Sequence, residues 1–386
     1  MYLPPALPEA VDLCLNSTLR SAFPRTEPIM SRPLQARINL SALQNNLAVA
    51  RQHAPKSRIM AVIKANGYGH GLLRMARALA DADGFAVIEL NDAVALRETG
   101  LQQKILLLNG YYSVEELPVI AAHGLAVVIH NQEQLDMLAA APLPVKLEVF
   151  LKFNTGMNRL GFRPEAANAV LEQLKNSRQV GGITLMTHFA FADVKEGIAE
   201  QLEQFNRIAA RANMSQSLAN SAALLRYPES HADWVRPGIM LYGSSPYDDV
   251  GARELGLQPV MTLASRIIAK QELQAGERVG YTGVFTAEKQ MTIGIVACGY
   301  ADGYPRHART GTPVNVNGKI TRTLGRIAMD MLCVDLSEIP DAAVGTPVTL
   351  WGEGNPIEDV AKAAGTVSYE LFTKLNSRVP VIETHG

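Results

Sequence analysis

"AVIKANGYGHG", residues 61–71, closes an apolar run on a single lysine. Val62 and Ile63 read as the end of a buried strand, and Asn66, Gly67, Gly69 and Gly71 as the turn that follows. An ammonium group at the end of a core strand either reaches solvent or meets a ligand. What the rest of the chain builds around Lys64 decides between the two.

The same punctuation recurs outward from this stretch. Short apolar runs, "MAVIK", "FAVIE", "ILLLN", "AVVIH", "KLEVFLK", "ITLMTH", "QSLAN" and "DWVR", read as strands. Between them lie segments such as "GLLRMARALADA", "NDAVALRETG", "NQEQLDMLAAA" and "GIAEQLEQFNRIAARAN", with apolar residues at i, i+3 and i+4, as amphipathic helices require. Eight strands alternating with helices predict an α/β fold, a (β/α)8 TIM-like barrel. An open doubly wound sheet is the alternative. No GxGxxG turn follows the first strand, which weakens its dinucleotide-binding form. From about residue 262 the period changes to Thr, Val and Ile in alternation, and Asn317-Gly318 marks a hairpin. The reading is a barrel over 30–258 and a mostly β domain over 259–386. Residues 1–29 carry early acidic residues and no continuous apolar core, so they read as a disordered or loosely docked extension, not a signal peptide. Met30, just before the first strand pattern "ARINLSAL", is an alternative start.

The 36 basic and 37 acidic residues nearly cancel, without a basic stripe, which speaks against nucleic acid or an anionic membrane as partner. Cys14, Cys298 and Cys333 are odd in number and far apart, as suits a reduced cytoplasm better than a disulfide framework, and their spacing does not fit a metal site. No apolar run reaches the length of a membrane span.

In a barrel of this kind, sites collect at the C-terminal ends of the strands. Lys64, His188, Asn220 with Ser221, and Arg236 all fall there. Each alone has a plain structural reading: a solvated lysine, a hydrogen-bonded loop histidine, a serine that caps the helix "NSAALL". Together they crowd one rim. Ser221, Gly238 and Ile239 lie in the loops after the seventh and eighth strands, where barrels often hold a phosphate on backbone N–H groups. A lysine able to form a Schiff base beside a phosphate cradle points to pyridoxal 5'-phosphate.

At this point the motifs converge. "AVIKANGYGHG", "NTGMNRLGF", "THFA", "ANSAA", "VRPGIMLYG", "VGYTGVF", "GYADGYPR", "GRIAMDM" and "TVSYEL", in this order, resemble the bacterial alanine racemases, barrel-type pyridoxal-phosphate enzymes, from about residue 34 onward. The resemblance implies interconversion of L- and D-alanine by two bases, for peptidoglycan or for alanine catabolism. It implies that Lys64 holds the cofactor and serves as one base, and that Tyr281, from a partner subunit, serves as the other. Tyr68, Ser221, Gly238, Ile239 and Tyr369 match phosphate-binding positions. Arg236 matches the arginine facing the pyridine nitrogen, and His188 the link from that arginine to the tyrosine. Arg159 matches the arginine near the cofactor's ring oxygen and the substrate carboxylate, and Met329 a partner-chain backbone N–H for that carboxylate. Tyr300 and Asp330 match the substrate entrance, and Lys152 a lysine that is often carbamylated. A homodimer with shared active sites follows from these roles.

Three positions depart from the family pattern: Asn154 where aspartate is common, Ala328 where some members have cysteine, and Met331 where many have glutamine. Rival readings are a racemase of broader specificity, a decarboxylase on the same barrel plan, and a non-enzymatic pyridoxal-phosphate-binding protein. "VGYTGVF" and "GRIAMDM" in the β domain speak against the last.

Overall fold

A computed structural model describes residues 32–210 and 212–385. The extension 1–29, Met30 and Cys14 lie outside the described residues. Leu34 onward forms one compact unit.

The first strand, β1 (Gln35–Asn39), is followed at once by the helix Leu40–His53. "ARINLSAL" is therefore strand only in its first half. Asn39 ends the strand by turning its side chain to accept the N–H of Ala42 at 3.0 Å, which caps the helix. The barrel strands follow: β2 (Arg58–Val62), β3 (Gly84–Val87), β4 (Lys104–Leu107) and β5 (Ala126–Ile129). They continue with β6 (Leu147–Lys152), β7 (Val180–Met186), β8 (Ser215–Ser217) and β9 (Trp234–Val235). Among the described residues these eight close in chain order into a parallel barrel, with β9 paired back to β2. The continuous apolar runs have a physical reason. A barrel strand is covered by helices outside and by its fellows inside, so β3 and β5 are buried at every position.

The second half is mostly antiparallel β structure, one large sheet and a separate two-stranded ribbon of Arg278–Val279 with Phe285–Thr286. Its strands are β10 (Met261–Leu273), β11 (Arg278–Val279), β12 (Phe285–Thr286), β13 (Met291–Val296) and β14 (Pro313–Val316). Then come β15 (Lys319–Leu324), β16 (Leu332–Asp335), β17 (Pro347–Trp351) and β18 (Val381–Thr384). Asn317 and Gly318 join β14 to β15 with φ of 50° and 85°, as a two-residue hairpin needs. β1 pairs antiparallel with β10 and parallel with β18, so the first strand among the described residues joins the second sheet before the barrel begins. One apolar cluster runs through both halves, from Leu34 to Val379. A small separate cluster of Val279, Ala287, Met291, Ile293 and Leu324 supports the β11–β12 hairpin, whose tip is Tyr281.

Asn46 locks the first helix to the barrel's exit. It is fully buried, donates to the carbonyls of Leu241 and Gln258 at 3.0 and 2.8 Å, and accepts the Gln258 N–H at 2.8 Å. Leu241 belongs to the loop that carries Gly238 and Ile239. Asn46→Leu puts a larger apolar side chain into a filled site and removes the partner of three backbone groups. It should lower unfolding stability by about 2–4 kcal/mol, read by urea titration.

Candidate active site

The chain leaves β2 through a backbone turn that few sequences can make. Ala65, Asn66, Gly67 and Tyr68 have φ of 53°, 54°, 60° and 50°, one left-handed helical turn directly after Lys64. Asn66 and Gly67 suit this region; Ala65 and Tyr68 do not. The surroundings hold them there. The Gly69 N–H donates to the Ala65 carbonyl at 3.0 Å, and Asn66 Oδ1 accepts the Leu72 N–H at 2.9 Å. His70 is buried between Tyr242 and Phe372, with ring centroids 4.7 and 4.8 Å away, and its Nδ1 meets the Tyr68 carbonyl at 2.9 Å. A carbonyl only accepts, so Nδ1 carries the proton. Burial holds the ring neutral, with its pKa lowered to about 4. A Cβ on Gly69 would lie 2.1 Å from the Phe372 carbonyl, so the turn presses directly on the helix Ser368–Thr373.

Lys64 and Tyr68 thereby enter one cleft of about 810 Å³ at the C-terminal ends of the barrel strands. Lys152, Arg159, His188, Asn220, Ser221, Arg236, Gly238, Ile239 and Tyr369 line the same cleft. Asn220, not Ser221, caps the following helix: its Oδ1 accepts the Ala223 N–H at 3.0 Å, and its amide donates to the Phe189 carbonyl at 3.2 Å. The Ser221 hydroxyl is left to accept the Gly238 N–H at 2.8 Å. A Cβ on Gly238 would fall 2.8 Å from the Tyr68 hydroxyl, so only glycine lets Tyr68, Ser221 and this backbone meet. Tyr68 stacks on Tyr242 at 4.5 Å and leans on Tyr369 at 5.9 Å. Burial raises the pKa of both Tyr68 and Tyr369, which keeps their hydroxyls protonated as donors.

Arg236 is buried. It donates to the Ser217 hydroxyl and the Thr187 carbonyl, both at 2.8 Å, to the Leu218 carbonyl at 3.1 Å, and to His188 Nδ1 at 3.3 Å. A guanidinium cannot accept, so Nδ1 is the lone-pair nitrogen of His188 and a neutral ring carries its proton on Nε2. Burial and then Arg236, Lys152, Arg159 and Lys64 hold the pKa of His188 well below the usual imidazole value. Burial also brings Arg236 to about 10, still charged at neutral pH.

The cleft gathers positive charge. Among the described residues no carboxylate pairs with Lys64, Lys152, Arg159 or Arg236. Asp193 and Glu370 are the acidic side chains in its lining. The sequence reading did not pick them, although Asp193 follows β7 in "THFAFAD" and Glu370 adjoins Tyr369. Burial, then Arg159, lowers the Lys64 pKa. Burial, then Arg236, Arg159 and Lys64, lowers Lys152 to about 7. The loop 153–162 that carries Arg159 is fixed at its base by Thr155 to Thr187 at 2.7 Å. Asn154 Oδ1 accepts the N–H groups of Gly156 and Asn158 at 3.1 and 2.9 Å, so Asn154 serves as a neutral turn-former in that loop.

Tyr281, Tyr300, Met329 and Asp330 are not in this cleft. All four are on the β half, and Tyr300 lies beside the Met329–Asp330 loop: the Tyr300 N–H donates to the Ala328 carbonyl and that of Ala301 to the Met329 carbonyl, each at 3.0 Å. Tyr281 is 72% exposed and Met329 53%.

Residues 38–246 match the family model of the alanine racemase N-terminal domain, and residues 260–383 that of the C-terminal domain. The alanine racemase of Nitrosospira multiformis is 59% identical, over 91% of this chain and 99% of its own. The catabolic alanine racemase of Salmonella typhimurium is 49% identical, over 92% of this chain and 100% of its own. The crystal structure of the biosynthetic alanine racemase from Pseudomonas aeruginosa superposes with a TM-score of 0.90 at 46% identity, over 92% of this chain and 100% of that one. With both halves matched in order and these relatives covered nearly end to end, the chain belongs to the alanine racemase family.

Proposed function

We propose that the chain interconverts L- and D-alanine with pyridoxal 5'-phosphate, as a cytoplasmic homodimer whose two sites each draw on both chains. The observation that carries this is the cleft's donor set: an unpaired lysine whose pKa is lowered, facing a glycine-walled cradle with a surplus of positive charge. That set fits an aldehyde bearing a phosphate. Tyr68, Ser221, Gly238, Ile239 and Tyr369 would hold the phosphate and Lys64 the aldehyde carbon, with Asn220 fixing the helix start behind them. Arg236 would face the ring nitrogen. When bound, the cofactor supplies an electron sink that acidifies the Cα–H bond of an amino acid.

Racemisation needs a proton removed from one face of Cα and one returned to the other. Lys64 Nζ serves one face, and its lowered pKa favours the free amine that a base must be. Tyr281 of the second chain serves the other face, with the Nε2–H of His188 available to its phenolic oxygen. A cation at the ring nitrogen disfavours ring protonation, which limits charge spread into the ring and favours return of the proton to Cα. Arg159 and the Met329 backbone N–H would hold the substrate carboxylate, and Tyr300 and Asp330 the entrance. Exposed apolar residues support the shared site. Tyr281, Val284, Met329 and Met331 are exposed on the β half; Phe191 and Val194 are exposed on the barrel, and Val367 and Tyr369 of the C-terminal segment are exposed at the cleft. A twofold dimer covers both sets at once.

The direct test is L-alanine in D₂O with the holoenzyme. Deuterium at Cα should appear together with loss of optical rotation, and borohydride should reduce a pyridoxyl group onto the Lys64 peptide. Exchange without racemisation, or an adduct elsewhere, would refute the reading. Tyr281→Ala should slow deuterium exchange into L-alanine by about 10²–10⁴-fold and into D-alanine far less. Equal losses would mean that Tyr281 is not a face-specific base.

Lys152 is proposed to react with CO₂, its neutral amine forming a carbamate with release of a proton. Its folded pKa of about 7 lies below the ordinary lysine value, so the charged form is the disfavoured one. The amine is neutral above pH 7 and protonated below. Enzyme dialysed free of CO₂ should regain activity with bicarbonate at pH 8 and not at pH 6. Recovery equal at both values would exclude this role for Lys152.

A further inference from the structure

We propose that Arg378 is a positioning residue for the partner subunit's active site: it fixes the two loops that this chain lends across the dimer. The inference rests on the shared-site reading above. Tyr300 sits in the turn 299–303 and Met329 in the loop 328–330, and one guanidinium bridges the two. Arg378 Nε donates to Asp302 Oδ1 at 2.7 Å, and its terminal amine donates to Asp330 Oδ1 at 2.6 Å. Asp302 is fully buried, and its other oxygen accepts the Gly299 N–H at 2.9 Å, so the charge that orders the turn is met from outside by Arg378. The loops touch backbone to backbone; a Cβ on Gly299 would lie 2.3 Å from the Met329 carbonyl. A small shift of one therefore moves the other.

The bridge is rooted in the barrel side of the same chain. Arg378 lies five residues beyond the helix Ser368–Thr373, whose Phe372 packs on His70 at 4.8 Å. Between them the Asn376 N–H donates to the Asp302 carbonyl at 3.0 Å, and Asn376 Oδ1 accepts the Arg378 N–H at 3.0 Å. A Cβ on Gly303 would meet the Lys374 carbonyl at 2.4 Å. Arg378 thus ties loops that are exposed in the single chain to a segment that Phe372 and Val379 anchor in the core. A planar fork suits this task, because lysine can satisfy one carboxylate but cannot hold a fixed angle between two.

Mixed dimers of differently tagged chains, purified through both tags and loaded with cofactor, test the assignment. A chain with Lys64→Ala has no working lysine, so the one live site uses the other chain's barrel and the Lys64→Ala chain's loops. Pairing wild type with Lys64→Ala/Arg378→Gln should raise KM for alanine at least about tenfold, with the bound cofactor's absorbance unchanged. Pairing Lys64→Ala with an Arg378→Gln chain puts intact loops on the live site, and KM should stay within about twofold of wild type. Should Arg378→Gln fail to fold, Arg378→Lys keeps a charge beside Asp302 and should still raise KM about threefold in the first arrangement. No rise in the first arrangement, or equal rises in both, would overturn the proposal. Wild type paired with Lys64→Ala/Tyr281→Phe is the control. Lost activity there supports shared sites, and retained activity would remove the shared-site reading and this proposal with it.

Discussion

The geometry of the cleft depends on one backbone constraint, the left-handed turn after Lys64. A strand ending in ordinary coil would send a lysine and a tyrosine four residues later in unrelated directions. The left-handed turn brings Lys64 and Tyr68 into one cavity. Each non-glycine residue in that region costs roughly 1–2 kcal/mol, and Ala65, Asn66 and Tyr68 all adopt it. The compensation is visible in His70, buried between Tyr242 and Phe372, and in the contact of Gly69 with the Phe372 carbonyl. Strain of this kind persists only where the surroundings over-determine it. Here the second half of the chain supplies part of those surroundings, which gives a reason for its last helix to lie against the barrel's first loop.

Charge follows from the same crowding. Bringing two lysines and two arginines together without a paired carboxylate is unfavourable in the isolated chain, and burial sharpens it. The lysines hold their protons less tightly: the Lys64 pKa is lowered, and that of Lys152 falls to about 7. Arg236 keeps its charge and satisfies it with four hydrogen-bond acceptors. The site is thus primed for anions, and a phosphate, a carboxylate and a carbamate are three groups that would relieve it. Asn154 fits this balance. An aspartate at that position would add negative charge near Lys152, whereas the asparagine makes the same loop turn and leaves the field unchanged.

Much of this was legible in the sequence. Strands such as β3 and β5 stood out as continuous apolar runs, because burial on both faces leaves few polar residues in them, whereas β8, Ser-Gln-Ser, carries no such signal. The rim residues could be read because strand ends are where a barrel exposes side chains to a common space. What escaped was conformation that composition does not encode. "ANGYG" reads as a turn, yet nothing in it distinguishes an ordinary turn from a left-handed helical one containing Ala65 and Tyr68. The cap at Ser221 was misjudged for a similar reason. Asn220 and Ser221 are both good caps, and only the position of Gly238 shows that the serine hydroxyl is needed elsewhere. The partnership of β1 with β10 and β18 is a contact between distant segments, which local periodicity cannot announce.

A barrel rim also sets a limit on two-sided chemistry. Its side chains rise from strand ends and line a cleft from beneath and from the flanks, as Lys64, Lys152, His188 and Arg236 do here. A planar reacting centre lying across that rim would have one face toward the barrel and the other toward open space. A second base for the open face must come from outside the barrel. In this chain the candidate, Tyr281, stands on a β-hairpin tip, 72% exposed and outside its own cleft. Its support is a private cluster of five buried residues, separate from the main core. A tyrosine that merely decorated the surface would need no such foundation. A hairpin held stiff at its base with its aromatic tip in solvent is suited to reaching into another molecule, and on the proposed reading that molecule is a second copy of the chain.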